Sequence, residues 1–137
     1  MEIVKLNQFK EAMAVLALCV YEPNEGTLLK IAEQYHNDRN MELFVKKIDR
    51  RIVGIIGINK QNENTYEIKH IAVIPEYREK GIAKDMLEYI TGRHDMETIF
   101  AETDKDAVDF YRKCGFSITN LGEKYPNVER YKCTRAR

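Results

Sequence analysis

The sequence predicts an α+β fold in which helices lie against a largely antiparallel sheet, and three observations predict it. Apolar residues recur three or four apart in some stretches and gather in β-branched runs in others, and the two rhythms alternate along the chain. Residues 41–73 hold three such runs joined by short polar turns, which obliges neighbouring strands to run antiparallel. Residues 66–91 then read as strand, loop and helix in direct succession.

Residues 2–7 read as a short strand. Phe9, Met13, Leu16, Ala17 and Val20 are spaced for the apolar stripe of a helix over residues 8–21. Pro23 and Gly26 break it, and residues 27–37 give a second helix with Leu28, Ile31 and Tyr35 on one side. A polar cluster from Asn37 to Asn40 ends that helix. Met41–Ile48 and residues 52–59 form a hairpin turning at Asp49, Arg50 and Arg51, and residues 61–64 turn into a third strand, Thr65–Val73. Alternation along this strand puts Glu67, Lys69, Ile71 and Val73 on one face and Ile68, His70 and Ala72 on the other. A short strand at 98–101 precedes a further helix, and Phe116 opens another strand.

A length of 137 residues suits a single domain spanning 1–137. Lys and Arg total 22 and Asp and Glu total 22, so no net field draws the chain to nucleic acid or to an anionic membrane. The three cysteines, Cys19, Cys114 and Cys133, are odd in number and lack C-x-x-C spacing. That argues against a disulfide framework and a zinc site, and for a reducing, cytoplasmic location. No stretch approaches the roughly 20 apolar residues that span a bilayer. His36, His70 and His94 fall on different elements, so no metal site is expected.

Residues 71–83 carry a phosphate-binding pattern. Pro75 has no N–H and stops the strand ladder, while Ile82, Met86 and Ile90 begin a helical stripe. Between them lies Arg78-Glu79-Lys80-Gly81-Ile82-Ala83. The first N–H groups of a helix have no intrahelical partner and sit at the positive end of its dipole, so they suit a phosphate. Gly81 lacks a Cβ and Ala83 has little more, which allows close approach, and Arg78 and Lys80 add charge. A strand-to-helix turn with a glycine and a few charges can also be purely structural.

Residues 104–116 carry a second pattern. Asp104 can cap a helix on which Ala107, Val108, Phe110 and Tyr111 make one broad face, and Gly115 suits a left-handed C-terminal position. Alone, this is equally an amphipathic helix packing its aromatics into a core.

Together the two segments resemble the GNAT superfamily of N-acetyltransferases. That family's central motif is a strand ending in apolar-x-Pro, followed by R/Q-x-x-G-x-G/A at the head of a helix. Its second motif places Asn or Asp before A-x-x-F-Y-x-x-x-G-F, matched by Asp104, Ala107, Phe110, Tyr111, Gly115 and Phe116. The resemblance covers about residues 41–116.

It implies a mixed central sheet, mostly antiparallel with a splayed parallel pair in the middle, flanked by about four helices in α/β/α layers. It implies acetyl-CoA as cosubstrate, with pantetheine along the main chain of Ile71, Ala72 and Val73 and the pyrophosphate on the amides from Arg78, Glu79, Lys80, Gly81 and Ile82 to Ala83. Asp104 stands where many relatives carry an Asn that touches pantetheine, and an aspartate has no amide N–H₂ to donate. Tyr111 takes the place of a general acid for the departing thiolate, and the Val73 N–H that of an oxyanion donor. Glu67 matches a glutamate used as general base, acting directly or through water. A strand carboxylate paired with Lys69 is the structural alternative, and His70 is expected to be structural. The acceptor implied is a primary amine of a small molecule or a protein, attacking directly without an acyl-enzyme, so Cys114 is expected to be structural. No metal, nucleic acid or membrane is implied, and a homodimer is compatible. The rival is a coenzyme A binding module or sensor of the same fold without turnover. A nucleotide binder is disfavoured, since neither G-x-x-x-x-G-K-[ST] nor G-x-G-x-x-G occurs.

Overall fold

In the computed structural model, which describes residues 2–5, 9–93 and 95–136, the chain forms one sheet with helices on both faces. The strands are β1 (Glu2–Lys5), β2 (Met41–Ile48), β3 (Arg51–Lys60), β4 (Thr65–Val73), β5 (Thr98–Thr103), β6 (Ser117–Tyr125) and β7 (Val128–Ala136). Their order across the sheet is β1-β2-β3-β4-β5-β7-β6. Neighbours are antiparallel except for β4 and β5, which run parallel at the middle. This is the mixed sheet with a central parallel pair that the resemblance implies. The C-terminal hairpin β6–β7 turns at Pro126 and Asn127, and the sequence signalled only its beginning.

The helices are α1 (Met13–Leu16), α2 (Glu25–Asn37), α3 (Ile82–Thr91) and α4 (Val108–Lys113). The helix expected over 8–21 is a four-residue α-helical core between the 3₁₀ turns Phe9–Ala12 and Ala17–Cys19, and residues 6–8 lie outside the described residues. Leu16 and Val15 are buried there, so the apolar spacing marked a packed segment rather than a long helix. α2 starts two residues earlier than expected because the Asn24 side chain accepts a hydrogen bond from the Thr27 N–H at 2.9 Å, a side-chain N-cap. Gly26 lies inside this helix and does not break it. The β2–β3 turn is also tighter than expected. Asp49 and Arg50 both take positive φ, and Arg51 already belongs to β3.

The core fills both faces of the central strands. Val45, Val53, Ile55, Ile56, Ile58, Met86, Leu87, Ile90 and Ile99 are wholly buried, a continuous apolar body on which the exposed loops are held. The two faces are assigned by two glycines of β3. A Cβ on Gly54 would meet Met86 and Ile82 of α3, whereas one on Gly57 would run into Tyr35 of α2. α3 therefore covers one face and α2 the other, in α/β/α layers.

Candidate active site

The middle of the sheet opens. β4 and β5 are paired only from Thr65–Glu67 to Thr98–Phe100, and beyond that point the strands part. A cleft of about 1000 Å³ occupies the gap, lined by β4 from Ile68 to Val73 and, across from it, by Glu102 and Thr103. The parted strands leave main-chain N–H and C=O groups facing the gap, which suits an amide-bearing ligand laid along them as an added strand. Ile71, Ala72 and Val73, expected to carry such a ligand, all line it.

At one end of the cleft lies the loop from Pro75 to Gly81. Its backbone is unusual for so short a segment. Glu79 has φ +63° and Gly81 has φ +79°, so two left-handed residues stand one apart. Such turns gather successive N–H groups into a concavity for an anion. The first bond of α3 runs from the Asp85 N–H to the Gly81 carbonyl at 2.9 Å, so the N–H groups ahead of Asp85 have no earlier turn to bond. Among the described residues, its two chain neighbours apart, no atom lies within 4 Å of where a Cβ on Gly81 would stand. The glycine therefore answers to the left-handed φ and to what approaches from outside, not to crowding within the protein. The Arg78 Nε donates to the Val73 carbonyl at 2.9 Å, fixing the loop to the end of β4, and the Lys80 ammonium lies over the Tyr77 ring at 5.5 Å. Arg78, Glu79, Gly81, Ile82 and Ala83 all line the cleft.

Across the gap stands α4. Asp104 Oδ1 accepts from the N–H groups of Asp106 at 3.0 Å and Ala107 at 3.1 Å, so the carboxylate organises the turn entering this helix as its residue type predicts. Tyr111 is 4% exposed, with its ring edge-on to Phe110 and to Phe116, each at 5.2 Å between centroids. Burial raises its phenol pKa well above the ordinary range, and the thiols of Cys133, Cys19 and Cys114 add to the rise. A phenol so placed stays protonated, so its hydroxyl has a proton to donate. The Cys114 thiol is likewise raised, chiefly by burial, which makes it a poor nucleophile.

The strand-face expectation for β4 is corrected by a bulge. Gly57 pairs with His70 while Ile58 pairs with Ile68, so Lys69 is an extra residue with no partner on β3. Alternation fails at that point. Glu67, His70 and Ala72 share the α2 face, whereas Tyr66, Ile68, Ile71 and Val73 face α3. Glu67 and His70 are thus neighbours on one face, not opposed. Glu67 accepts a hydrogen bond from Gln61 Nε2 at 3.2 Å and lies 3.8 Å from Lys69 Nζ, and it is not among the residues lining the cleft, whereas His70 is.

Three further residues of this side had no motif to announce them. The Tyr35 hydroxyl lies 2.6 Å from His70 Nδ1, and it fits because Gly57 has no side chain: a Cβ there would stand 1.8 Å from the Tyr35 oxygen. Burial, then the charge of Lys69, lowers the His70 pKa to about 4, and burial raises that of Tyr35 far above its usual value. Cys19 also lines the cleft. This residue is exposed at the rim, and its thiol is turned back onto the Leu16 carbonyl at 3.3 Å. Gly57 inside an apolar strand was the one sequence hint of a close approach here.

Among the described residues no three His, Cys, Asp or Glu side chains are grouped to hold a metal ion, and His94 lies outside them. None of the described helices is long and apolar enough to cross a membrane.

The profile of the Acetyltransferase (GNAT) family matches residues 9–116. The chain belongs to that family. A protein of Bacillus methanolicus described as an uncharacterized N-acetyltransferase is 33% identical over 115 residues, covering 80% of this chain and 93% of that one. An aminoglycoside 6'-N-acetyltransferase complexed with coenzyme A superposes with a TM-score of 0.82 at 15% identity, covering 99% of this chain and 97% of that one. A GNAT acetyltransferase from Elizabethkingia anophelis with acetyl-CoA bound superposes with a TM-score of 0.77 at 20% identity, covering 99% and 97%. This GNAT chain thus shares its overall fold with both of those structures.

Proposed function

We propose that this chain, acting as a single domain, transfers the acetyl group of acetyl-CoA to a primary amine, the amine attacking directly. The observation that carries the proposal is the continuity of the cleft. One opening joins a left-handed anion loop at 78–81, exposed strand backbone along Ile71, Ala72 and Val73, a buried proton donor at Tyr111, and a half-buried face holding His70. Coenzyme A offers a pyrophosphate, two amides and a thioester in that order, and the chain presents groups suited to each. The coenzyme A and acetyl-CoA carried by the two structural relatives add support for that ligand class.

The residues divide the work as follows. The amides from Glu79 to Ala83 would neutralise the pyrophosphate, with Lys80 and Arg78 adding charge. Main chain along Ile71, Ala72 and Val73 would align the pantetheine, and an N–H of that run would bond the thioester oxygen. Asp104, spent on the entry to α4, contributes its capped turn rather than an amide donor. Tyr111 would donate to the departing sulfur. An alkylamine is mostly protonated at neutral pH, and freeing its lone pair costs about 4–5 kcal/mol, so the acceptor side needs a proton acceptor, for which Glu67 is the carboxylate on the correct face.

Titration calorimetry with acetyl-CoA and with ATP, followed by a free-thiol assay over a panel of primary amines, tests this reading. Binding of acetyl-CoA but not ATP, with amine-dependent thiol release, is expected. Absence of acetyl-CoA binding overturns it, and binding without thiol release under any amine assigns the chain to the non-catalytic coenzyme A binders.

A further inference from the structure

We propose that Lys84 and Lys113 grip a phosphomonoester beside the anion loop, the 3′-phosphate of coenzyme A, and that this pair selects coenzyme A over its 3′-dephospho form. The inference rests on the acetyl-CoA reading and names the part of that ligand which the loop at 78–81 leaves unmatched. Both lysines line the cleft, Lys84 from the first turn of α3 and Lys113 from the last turn of α4. Both are exposed, which puts them at its rim.

Two arginines deprive these lysines of their ordinary partners. On α3, Glu88 stands four residues beyond Lys84, a spacing at which a carboxylate and a lysine pair, but Arg135 Nη1 holds it at 3.2 Å. On α4, Asp109 precedes Lys113 by four residues, and its carboxylate is bonded to Arg112. Among the described residues, neither lysine lies within ion-pair distance of a carboxylate. The other cations of the cleft lining are engaged: Lys69 lies beside Glu67, Arg78 donates to the Val73 carbonyl, and Arg130 lies beside Glu102. The same Nη1 of Arg135 donates to the Cys114 carbonyl at 3.2 Å, so one guanidinium ties the Lys84 flank of α3 to the residue after Lys113. The two lysines therefore flank a single seam with their charges uncompensated, in a chain whose formal net charge is zero.

The ligand has a group that fits them. The ribose of coenzyme A carries its 3′-phosphate one sugar away from the pyrophosphate, and Lys84 stands less than one helical turn beyond Gly81. A phosphomonoester has a second pKa of about 6, so at neutral pH it carries close to two negative charges. Two ammonium groups on facing elements match that dianion, each as a compact point charge that needs no fixed planar geometry.

Titration calorimetry at neutral pH and low ionic strength compares coenzyme A with 3′-dephospho-coenzyme A, which keeps the pyrophosphate and lacks only the 3′-phosphate. The wild type is expected to bind coenzyme A about 10-fold more tightly, each exposed ion pair contributing a few-fold. Lys84→Gln and Lys113→Gln should each weaken coenzyme A binding about threefold, and together they should bring the preference close to one, with affinity for the dephospho form held. Lys30→Gln, which removes a charge from α2 outside the cleft, should leave the preference intact. A wild type that binds both ligands equally overturns the proposal, as does an unchanged preference in the double variant. Losses of equal size on both ligands also overturn it, since they would put the lysines on the pyrophosphate. So does a Lys30→Gln loss matching the others, which would reduce the effect to the general field of the protein. A wild type that binds neither ligand removes the coenzyme A reading as a whole, a result distinct from binding without discrimination.

Discussion

The two ends of the cleft are made in different ways. The anion loop and the head of α3 come from one contiguous run, Ile74 to Ala83, in which each residue's own geometry does the work: Pro75 ends the strand, Glu79 and Gly81 turn left-handed, and Arg78 ties back to Val73. The α2 side of the cleft is assembled from Cys19, Tyr35, Gly57 and His70, four residues on four segments that meet only through tertiary packing and a one-residue bulge. A local site tolerates change elsewhere and fails abruptly when its backbone is altered. A composite site depends on register, so its parts fail together.

Gly81 puts the local site to the sharpest test. Gly81→Glu forces a side chain onto a φ of +79°, at a cost of about 1–2 kcal/mol, and puts a carboxylate where the proposed function seats the pyrophosphate. Acetyl-CoA affinity should fall by more than about 100-fold through charge repulsion, while Gly81→Ala should lose at most roughly 10-fold, the part of the strain that a relaxed free loop must take up again on binding. Calorimetry on both variants reads the difference. If Gly81→Glu binds as the wild type does, the anion loop is not the phosphate site.

Tyr111 belongs to neither end and tests what lies between. Tyr111→Phe removes the buried donor while keeping both edge-on ring contacts, so acetyl-CoA affinity should hold and kcat should fall by about 10- to 100-fold. Pre-steady-state thiol release locates the loss in the chemical step. Unimpaired turnover would take Tyr111 out of the mechanism.

This contrast also explains how much the sequence disclosed. The helix stripe Ile82, Met86 and Ile90, the Pro75 stop and the Gly81 turn are properties of neighbouring residues, and they were legible as such. So was Tyr111 on the buried side of α4, whereas Asp104, read as the cap, holds the turn before the helix and the N-cap position falls to Ala107. The bulge was not legible, because an extra residue in β4 is defined only against its partner strand, and it moved His70 to the face of Glu67. Tyr35 read as one more apolar position of a helix, since nothing in residues 27–37 says that a glycine on β3 has left room for its hydroxyl. The break of the first helix into 3₁₀ turns was hidden likewise, since both forms bury residues three or four apart.

A smaller effect separates the composite site's stability from its chemistry. The ordinary His pKa of 6.5 falls to about 4 in the folded protein, through burial and then Lys69, so between those values the unfolded chain holds a proton that the native chain does not. Acid therefore favours unfolding. The stability His70 contributes is present above about pH 6.5 and is lost as pH falls towards 4, a change of up to about 3 kcal/mol. His70→Gln should flatten that part of the curve, measured as thermal midpoints of the two proteins between pH 4 and 7. Parallel curves would mean that the imidazole is not sequestered.

The smallest expected effect lies at the closed end of the parallel pair, where β4 and β5 are still joined. Tyr66 is buried, and its hydroxyl donates to Asp95 Oδ2 at 2.5 Å, with Lys60 at 3.2 Å from the same oxygen and the Arg93 guanidinium 5.4 Å from the Tyr66 ring centre. Glu97 and Thr98 donate from their N–H groups to the Asn64 carbonyl alongside. These contacts secure the zipped residues Thr65–Glu67 from which the strands diverge. Tyr66→Phe removes one hydrogen bond to a carboxylate that is 41% exposed, so the loss should be about 1 kcal/mol, below the range for buried charged partners. Acetyl-CoA affinity should stay within about twofold, because Arg78 on Val73 and the bulge at Lys69, not the Tyr66–Asp95 contact, lie at the open end. A large loss of affinity at unchanged stability would show instead that the splay is transmitted from its closed end, and the two regions would have to be treated as one mechanical unit.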